Sequence, residues 1–240
     1  MFFNKVILQT GLFVLLSSLF SVAASANQHN HKAEIRLATL GPGVGNFAPV
    51  LYVENHKVMG SMPDQIRCAF AALQIDTQFI PVPIGRHIWA VDKHRVDGYF
   101  PATAYEENTS PLQTSIVLLE SEIAVYSLSP VDIYSQPAPL VATVRRAMAP
   151  EKFIERHQLP VVKTSGFNQA IELLLKKRVE AVIANTQGFE LAAKNEDYQY
   201  AWHKQSLESV QMRLFLSPNY TAENPDIFSR LNPLLEKCKP

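Results

Sequence analysis

Three arginines lie where the sequence predicts the beginning of a helix and the end of a strand. Arg86 begins a predicted helix, where a cation is unfavourable for the helix dipole. Its expected partner is therefore an anionic ligand or a nearby acid such as Asp97. Arg145 and Arg146 end a predicted strand, and together with Arg86 they favour an anionic or carboxylated solute. The alternative is that all three are solvated surface arginines.

Five neutral polar residues occupy similar positions. Tyr99 and Thr103 lie on or after a short strand, at the carboxyl end where ligands approach parallel sheets. Ser165 opens a helix whose amide groups could bind an anion, although it is equally suited to cap that helix. Asn185 and Thr186 end another strand and offer neutral donors and acceptors. These five residues are candidate contacts to a solute.

Two aromatic residues follow the first predicted strand. Phe47 and Tyr52 could form an aromatic wall of a binding cleft. An aromatic side chain in this position is at least as often plain core, so both roles stay open.

Catalytic and cofactor motifs are missing from the sequence. It has no Gly-x-Ser-x-Gly elbow and no HExxH or CxxC spacing, and the glycine-rich run 41–45 does not match the dinucleotide fingerprint. Glu106, Glu107 and Glu122 are the carboxylates nearest the expected cleft, and no partner pairs with them for acid–base work. The scattered histidines at 56, 87, 94, 157 and 203 are predicted to be surface or capping residues. We therefore expect no enzymatic activity and no cofactor.

The amino-terminal residues have the layout of a secretory signal peptide. Lys5 precedes an apolar run, Val6–Ala23, which ends in the small residues 24–26. Cleavage after residue 26 would place the protein in the periplasm, with residues 27–33 as a polar tail. A membrane anchor is the alternative, but the run is short and interrupted by polar residues.

The same cleavage would make His29 the third residue of the mature chain. The free amine, two amide nitrogens and the imidazole could then bind Cu(II) or Ni(II) in a square plane. The alternative is a disordered polar tail.

Charge is nearly balanced in the predicted mature chain. Removing Lys5 with the signal leaves 21 basic and 22 acidic side chains, against 22 of each in the full sequence. Without a basic block there is no electrostatic footprint for nucleic acid or an anionic membrane. We expect a soluble monomer.

Two cysteines can form at most one disulfide in an oxidising compartment. Cys68 lies in a helical stretch, and at about 100° per residue it points away from the apolar stripe between Ile66 and Leu73. Cys238 ends another amphipathic segment. We predict that the two are bonded, with two free thiols as the alternative.

Strands and helices alternate in two blocks, which predicts parallel sheets flanked by helices. The first block has strands at 34–39, 77–82, 99–103 and 116–127, with helices at 64–73 and 84–91. The second has strands at 140–145, 160–164, 180–184 and 211–217. Its helices lie at 150–158, around 171–175 and 189–194, and a terminal helix opens at Asn224 and Pro225. Small-molecule sites favour the cleft between two such blocks.

Four stretches resemble the family 3 extracellular solute-binding proteins. FAPVLYVENHKVMGSMPDQI is similar to the family's aromatic–proline turn, hairpin, glycine and helix-opening Asp, and GRHIWAVDKHRVDGYF to its Arg-bearing helix and the following strand. VKTSGFNQAIELLLKKRVEAVIANT is similar to the second-lobe serine, helix, basic turn and strand, and MRLFLSPN to the return crossover. The four cover nearly the whole mature chain in the expected order.

The resemblance implies an α/β, two-lobed periplasmic-binding-protein fold of type II, with two mixed sheets flanked by helices and joined by two crossover strands. Lobe 1 would span 34–126, with 217–240 returning to it, and lobe 2 would span 127–216. Such a protein closes around a small polar solute, here an anionic one, and presents it to the permease of a membrane ABC importer. A sensing module that reports to a membrane sensor is the alternative, followed by a dehydratase-like enzyme.

Three departures argue against an ordinary amino-acid ligand. The stretch 105–110 lacks the family's carboxylate-binding Arg, and Asn185 stands where an Asp pairs with the ligand ammonium. Arg146 replaces a small residue whose backbone would meet an anion. Without this clamp, about 2–5 kcal/mol of charge recognition is missing.

Overall fold

The computed structural model describes residues 33–41, 47–83, 85–105, 113–195 and 200–240. The predicted signal segment 1–26 lies outside the described residues, as do His29, Glu106 and Glu107. Within the described ranges, no helix is both long and apolar enough to cross a bilayer.

Ten strands and seven helices are described in these ranges. The strands are β1 (Ala33–Leu40), β2 (Tyr52–Glu54), β3 (Lys57–Met59), β4 (Ile75–Val82), β5 (Gly98–Ala102), β6 (Leu119–Ser127), β7 (Val141–Val144), β8 (Val161–Thr164), β9 (Ala181–Asn185) and β10 (His203–Leu216). The helices are α1 (Ser61–Ala72), α2 (His87–Asp92), α3 (Met148–Arg156), α4 (Phe167–Leu175), α5 (Thr186–Asn195), α6 (Pro218–Glu223) and α7 (Ile227–Lys237).

Eight of the strands form one curled sheet in the order β4-β1-β5-β10-β6-β9-β7-β8. At one end β1 pairs in parallel with β4 and β5, and at the other end β7 pairs in parallel with β8 and β9. We call these ends the first and second half-sheets. The predicted parallel blocks are therefore confirmed, and they are joined through the antiparallel strands β6 and β10 in the middle of a continuous sheet.

The long strand β10 changes partner along its length. Its first part pairs with β6 as far as Met212, and its last part pairs with β5 from Arg213 onward. The register shifts between Arg213 and Phe215, at the change of partner. At Gly98 of β5 the two backbones come so close that a Cβ would clash with the Phe215 carbonyl oxygen.

The core of the first half-sheet is closed by the last helix of the chain. Apolar residues three and four apart put Ile227, Leu231 and Leu235 of α7 on one buried face, which packs against α1. The buried side-chain amide of Gln65 in α1 donates to the Leu235 carbonyl at 2.9 Å. The predicted bond between Cys68, which is exposed, and Cys238, which is partly buried, is present and joins the same two helices, with 5.9 Å between the Cα atoms.

The second half-sheet is covered by helices on both faces. All five residues of β9 are buried, as expected for a central parallel strand with a continuous apolar run. Phe153 of α3 packs on one face of the sheet, and Ile171 of α4 and Phe189 of α5 pack on the other. The α/β alternation predicted for this part of the chain is confirmed.

Two boundaries near the carboxyl end were predicted wrongly. Helix α7 begins at Ile227, not at Pro225, because a short helix, α6, comes first. Asn224 is the C-cap of α6, and its amide nitrogen donates to the Tyr220 carbonyl at 3.0 Å. The predicted strand 211–217 is the last part of β10, whose first residues, from His203, were not predicted.

Candidate functional site

A cavity of about 100 Å³ lies between the two half-sheets, at the carboxyl ends of their parallel strands. From the side of the first half-sheet it is lined by Leu40, Phe47, His87, Pro101 and Thr103. From the other side it is lined by Arg146, residues 147–150, Phe167 and Asn185, and β10 adds Val210 and Met212. The walls are mostly apolar, and the position matches the region where ligands approach parallel sheets.

Four of the ten predicted solute contacts line this cavity. Phe47 is held by a backbone bridge, in which its amide nitrogen donates to the Leu51 carbonyl at 2.7 Å. Thr103 directly follows β5, and Asn185 ends β9. Arg146 follows β7 with a left-handed backbone, φ 65°.

Three other predicted contacts on the side of the first half-sheet lie away from the cavity. Tyr52 is half-buried on the β2–β3 hairpin. Arg86 is exposed at the N-cap of α2, and its guanidinium carbon lies 5.9 Å from the Trp89 ring centroid. Tyr99 is buried in the core with its ring centroid 4.8 Å from that of Phe215.

The suggested pairing of Arg86 with Asp97 is absent from the described contacts, because Asp97 is bound by another arginine. Its carboxylate accepts from the Arg36 backbone amide at 2.7 Å and from the Arg36 guanidinium at 3.3 Å. Asp97 therefore ties β1 to the start of β5.

The remaining three predicted contacts also lie outside the cavity lining. Arg145 is exposed, and its amide nitrogen donates to the Thr164 carbonyl at 2.9 Å. Ser165 is exposed and donates through its amide and its hydroxyl to Gln169 Oε1, at 2.8 and 3.0 Å. It is not the helix cap, because Gly166 holds that position. The Thr186 hydroxyl is engaged with Glu122 at 3.2 Å.

Asn185 is 9% exposed and belongs to a short relay of side chains. Its Nδ2 donates to Ser121 Oγ at 2.7 Å, and the Ser121 hydroxyl donates in turn to Gln187 Oε1. In this arrangement the single Ser121 proton is used for Gln187, and the Asn185 amide points its nitrogen at Ser121. Asn185 Oδ1 is then left as a buried acceptor without a hydrogen-bond partner among the described residues. An orphaned buried acceptor is costly, and a solute in the cavity can relieve that cost.

Arg146 brings a positive charge to the cavity. Its amide nitrogen donates to Glu151 Oε1 at 3.0 Å, which fixes the backbone at the start of α3. A Cβ placed at Gly85 would lie 3.5 Å from Arg146 Cδ. The arginine stem therefore meets the loop before α2, and the two sides of the cavity come together at this point.

The sequence analysis missed His87, and its expectation of a surface or capping histidine was wrong. His87 is 5% exposed, and its ring centroid lies 4.6 Å from that of Tyr99. Two apolar lining residues, Met148 and Phe167, were missed as well. Each is the first residue of its helix, α3 or α4, after a strand that ends at the cavity. That position was the one signal that could have identified them.

Glu122, a candidate for acid–base chemistry, is paired, contrary to expectation. Lys204 Nζ lies 2.5 Å from Glu122 and 3.2 Å from Glu190. The hydrogen bond from Lys204 holds the pKa of Glu122 below its usual value, and burial raises the pKa of the neighbouring Tyr126 to about 12. This network joins β10 to β6 and α5. The described residues also contain no group of three or more His, Cys, Asp or Glu placed to hold a metal ion.

Comparison with known proteins gives the fold but not the family. No family model matches the sequence, and no curated protein matches it. An ancestral arginine-binding protein bound to arginine is similar in structure, with a TM-score of 0.65 at 17% identity over 86% of this chain and 92% of that chain. An ancestral amino-acid-binding protein, a precursor of cyclohexadienyl dehydratase, gives 0.62 at 14% identity over 86% and 89%.

A histidine kinase sensor domain with similarity to periplasmic binding proteins is also alike in structure. Its TM-score is 0.69 at 15% identity, over 86% of this chain and 90% of that chain. These likenesses, together with the sheet order and the cavity between the half-sheets, define the fold. The chain has the periplasmic-binding-protein fold of type II, as predicted.

Proposed function

We propose that this protein is a periplasmic solute-binding protein that closes around one small solute and presents it to the permease of a membrane ABC importer. The observation that carries the proposal is the cavity itself. Its lining comes from both half-sheets, and it includes a buried acceptor, Asn185 Oδ1, that no described protein group satisfies. An acceptor in this state is suited to a ligand that supplies the missing donor.

The strands between the half-sheets support a hinge. β10 has two register shifts, and such irregularities bend a strand locally. One falls between Ser206 and Glu208, and the other between Arg213 and Phe215, where the strand leaves β6 for β5. Beside the first of these irregularities, Glu208 accepts from the Tyr105 hydroxyl and binds Arg156 Nη1 at 2.6 Å. We place the hinge in this middle region, about which the half-sheets would rotate on closure.

The same cavity supports binding better than chemistry. Catalysis of the dehydratase kind needs a positioned acid or base. The described lining includes no Asp or Glu, and its one histidine, His87, is buried with its ring packed against Tyr99. A ligand-sensing module is the second candidate function, favoured by the likeness to the histidine kinase sensor domain. Importer and sensor use the same closure and differ only in the membrane partner.

A thermal-shift screen on refolded, ligand-free protein tests the proposal. The panel comprises carboxylates, sugars, amines and dipeptides. We expect one cooperative stabilisation, worth about 2.7 kcal/mol at 100 times the dissociation constant, and compaction in solution scattering. If no solute in the panel stabilises the protein, the proposal is contradicted. If the bound solute is chemically converted, the protein is an enzyme and not a binding protein.

Phe47→Ala and Tyr52→Ala form a matched pair for the same assay. Both remove an aromatic ring near β2, but only Phe47 lines the cavity. We expect the first change to weaken binding of the stabilising solute at least tenfold and the second to leave it unchanged. Equal effects would place the solute elsewhere.

A further inference from the structure

We infer that the solute is a hydroxycarboxylate with an apolar body, and not an α-amino acid. This inference rests on the proposed function and names the chemical class that the cavity recognises. Three features of the described lining lead to it: one arginine, a buried amide oxygen on Asn185 among otherwise uncharged polar side chains (Thr103 and His87), and an apolar wall.

Arg146 supplies the anion-binding part of the inference. It is the only Lys or Arg among the described residues that line the cavity, and that lining contains no Asp or Glu. The neighbouring Glu151 lies outside the lining, where it accepts from the Arg146 backbone amide and pairs with Lys163 Nζ at 3.2 Å. A guanidinium presents donors in a planar fork that matches a carboxylate. A solute carboxylate therefore finds a counter-charge here, whereas a solute ammonium does not.

Asn185 supplies the neutral part. One N–H of its Nδ2 is used by Ser121, and the buried atom without a partner among the described residues is Oδ1, which only accepts. A hydroxyl group can donate one hydrogen bond to this oxygen without bringing a charge. An ammonium group could donate as well, but it would lose its hydration in the cavity without a carboxylate to replace it, which is costly.

The apolar wall determines the rest of the molecule. Leu40 and Phe47 line the cavity from the first half-sheet, Met148 and Phe167 line it from the second, and Met212 adds an apolar side chain from β10. Such a lining favours an alkyl or aryl group, because its burial is favourable in proportion to area. A sugar or a dicarboxylate would bring polar groups that these side chains cannot satisfy.

Matched probes test the inference on the intact protein. Each of three sets has one apolar body and compares a hydroxy acid, the matching amino acid and the matching acid without the hydroxyl. The first set is lactate, alanine and propionate, and the second is 2-hydroxy-4-methylpentanoate, leucine and 4-methylpentanoate. The third is 3-phenyllactate, phenylalanine and 3-phenylpropionate. Both enantiomers of each chiral probe are titrated by calorimetry. In one set we expect the hydroxy acid to bind at least tenfold more tightly than the acid without the hydroxyl. In the same set, the hydroxy acid should bind more tightly than the amino acid by a larger factor.

Variants assign the head groups to residues. Arg146→Met should weaken binding of the hydroxy acid at least tenfold. Arg145→Met, next in the chain but outside the lining, should leave this binding unchanged. Asn185→Ala should bring the affinity ratio of the hydroxy acid to its deoxy partner close to one. A purely structural defect would weaken both probes equally, so this ratio separates recognition from misfolding.

The outcomes separate the two proposals. An amino acid that binds more tightly than its hydroxy partner overturns the solute class, as does binding of panel solutes with no response to any hydroxy acid. In both cases the solute-binding function stands. If neither the probes nor any solute of the broad panel binds, both the solute class and the proposed solute-binding function are wrong. Should a variant fail to fold, the ranking of the probes on the unaltered protein still decides.

Discussion

Replacing Cys68 and Cys238 with serine should strongly lower the stability of the folded chain. The bond joins residues 170 apart in sequence. For a loop of that length, the chain-entropy model gives a loss of roughly 5 kcal/mol at 25 °C when the cross-link is removed. Helix α7 should stay in place without the bond, because Leu231 and Leu235 are fully buried against α1. The loss should therefore come from greater freedom of the unfolded chain.

Urea unfolding with kinetics measures this effect. The double variant, and the unaltered protein under reducing conditions, should show the same loss in the free energy of unfolding. The division of this loss between the two rates depends on whether α1 and α7 are already together in the transition state. If they are, the folding rate carries the loss, and if they are not, the unfolding rate rises instead. A loss below about 1 kcal/mol in the free energy of unfolding would refute the reasoning.

Three further outcomes are expected. Gly98→Ala should abolish or severely reduce folding, since a Cβ at this position meets the β10 backbone. Gly166→Ala is the control and should be tolerated, because its Cβ would meet nothing within 4 Å. Thermal melts of both variants test this prediction. Leu231→Ala should cost about 2–5 kcal/mol in urea, as expected for a fully buried leucine, and a cost under 1 kcal/mol would mean that α7 is not docked. Lys204→Met should destabilise the protein most at neutral pH. Because the folded pKa of Glu122 lies below its unfolded value of 4.5, the pairing contributes stability above pH 4.5, and that stability is lost as the pH falls through the folded pKa. The difference in the free energy of unfolding between the variant and the unaltered protein should therefore shrink below pH 4.5. A difference that does not change with pH would contradict the pairing.

The α/β pattern was predictable because most strands are short apolar runs. Val141–Val144 and Ala181–Asn185 are buried on both faces, and such runs are distinctive in sequence. The first half of β10 was not predictable, since His203 to Ser206 are exposed and carry no apolar alternation. That segment pairs with β6 through its backbone, which leaves little signal in the side chains.

Residues at strand ends could be proposed as contacts, but the sequence does not say which ones face the cavity. Arg145 and Arg146 are neighbours, and only the left-handed backbone at Arg146 directs one of them into the lining. Phe167 and Met148 line the cavity because the half-sheets approach each other there. That approach depends on contacts between distant parts of the chain, and periodicity reports only local structure.

The return of α7 to the first half-sheet has a consequence for synthesis. Ribosomes release the amino-terminal part of a chain first, and domains tend to fold in that order. Here the buried residues of the second half-sheet all precede residue 211, whereas the earlier half-sheet needs Ile227, Leu231 and Leu235 to complete its core. The part that is made first must therefore wait for the last helical turns. A nascent chain stalled before α7 would expose an unfinished apolar face, while the later-made part already holds every residue of its own core.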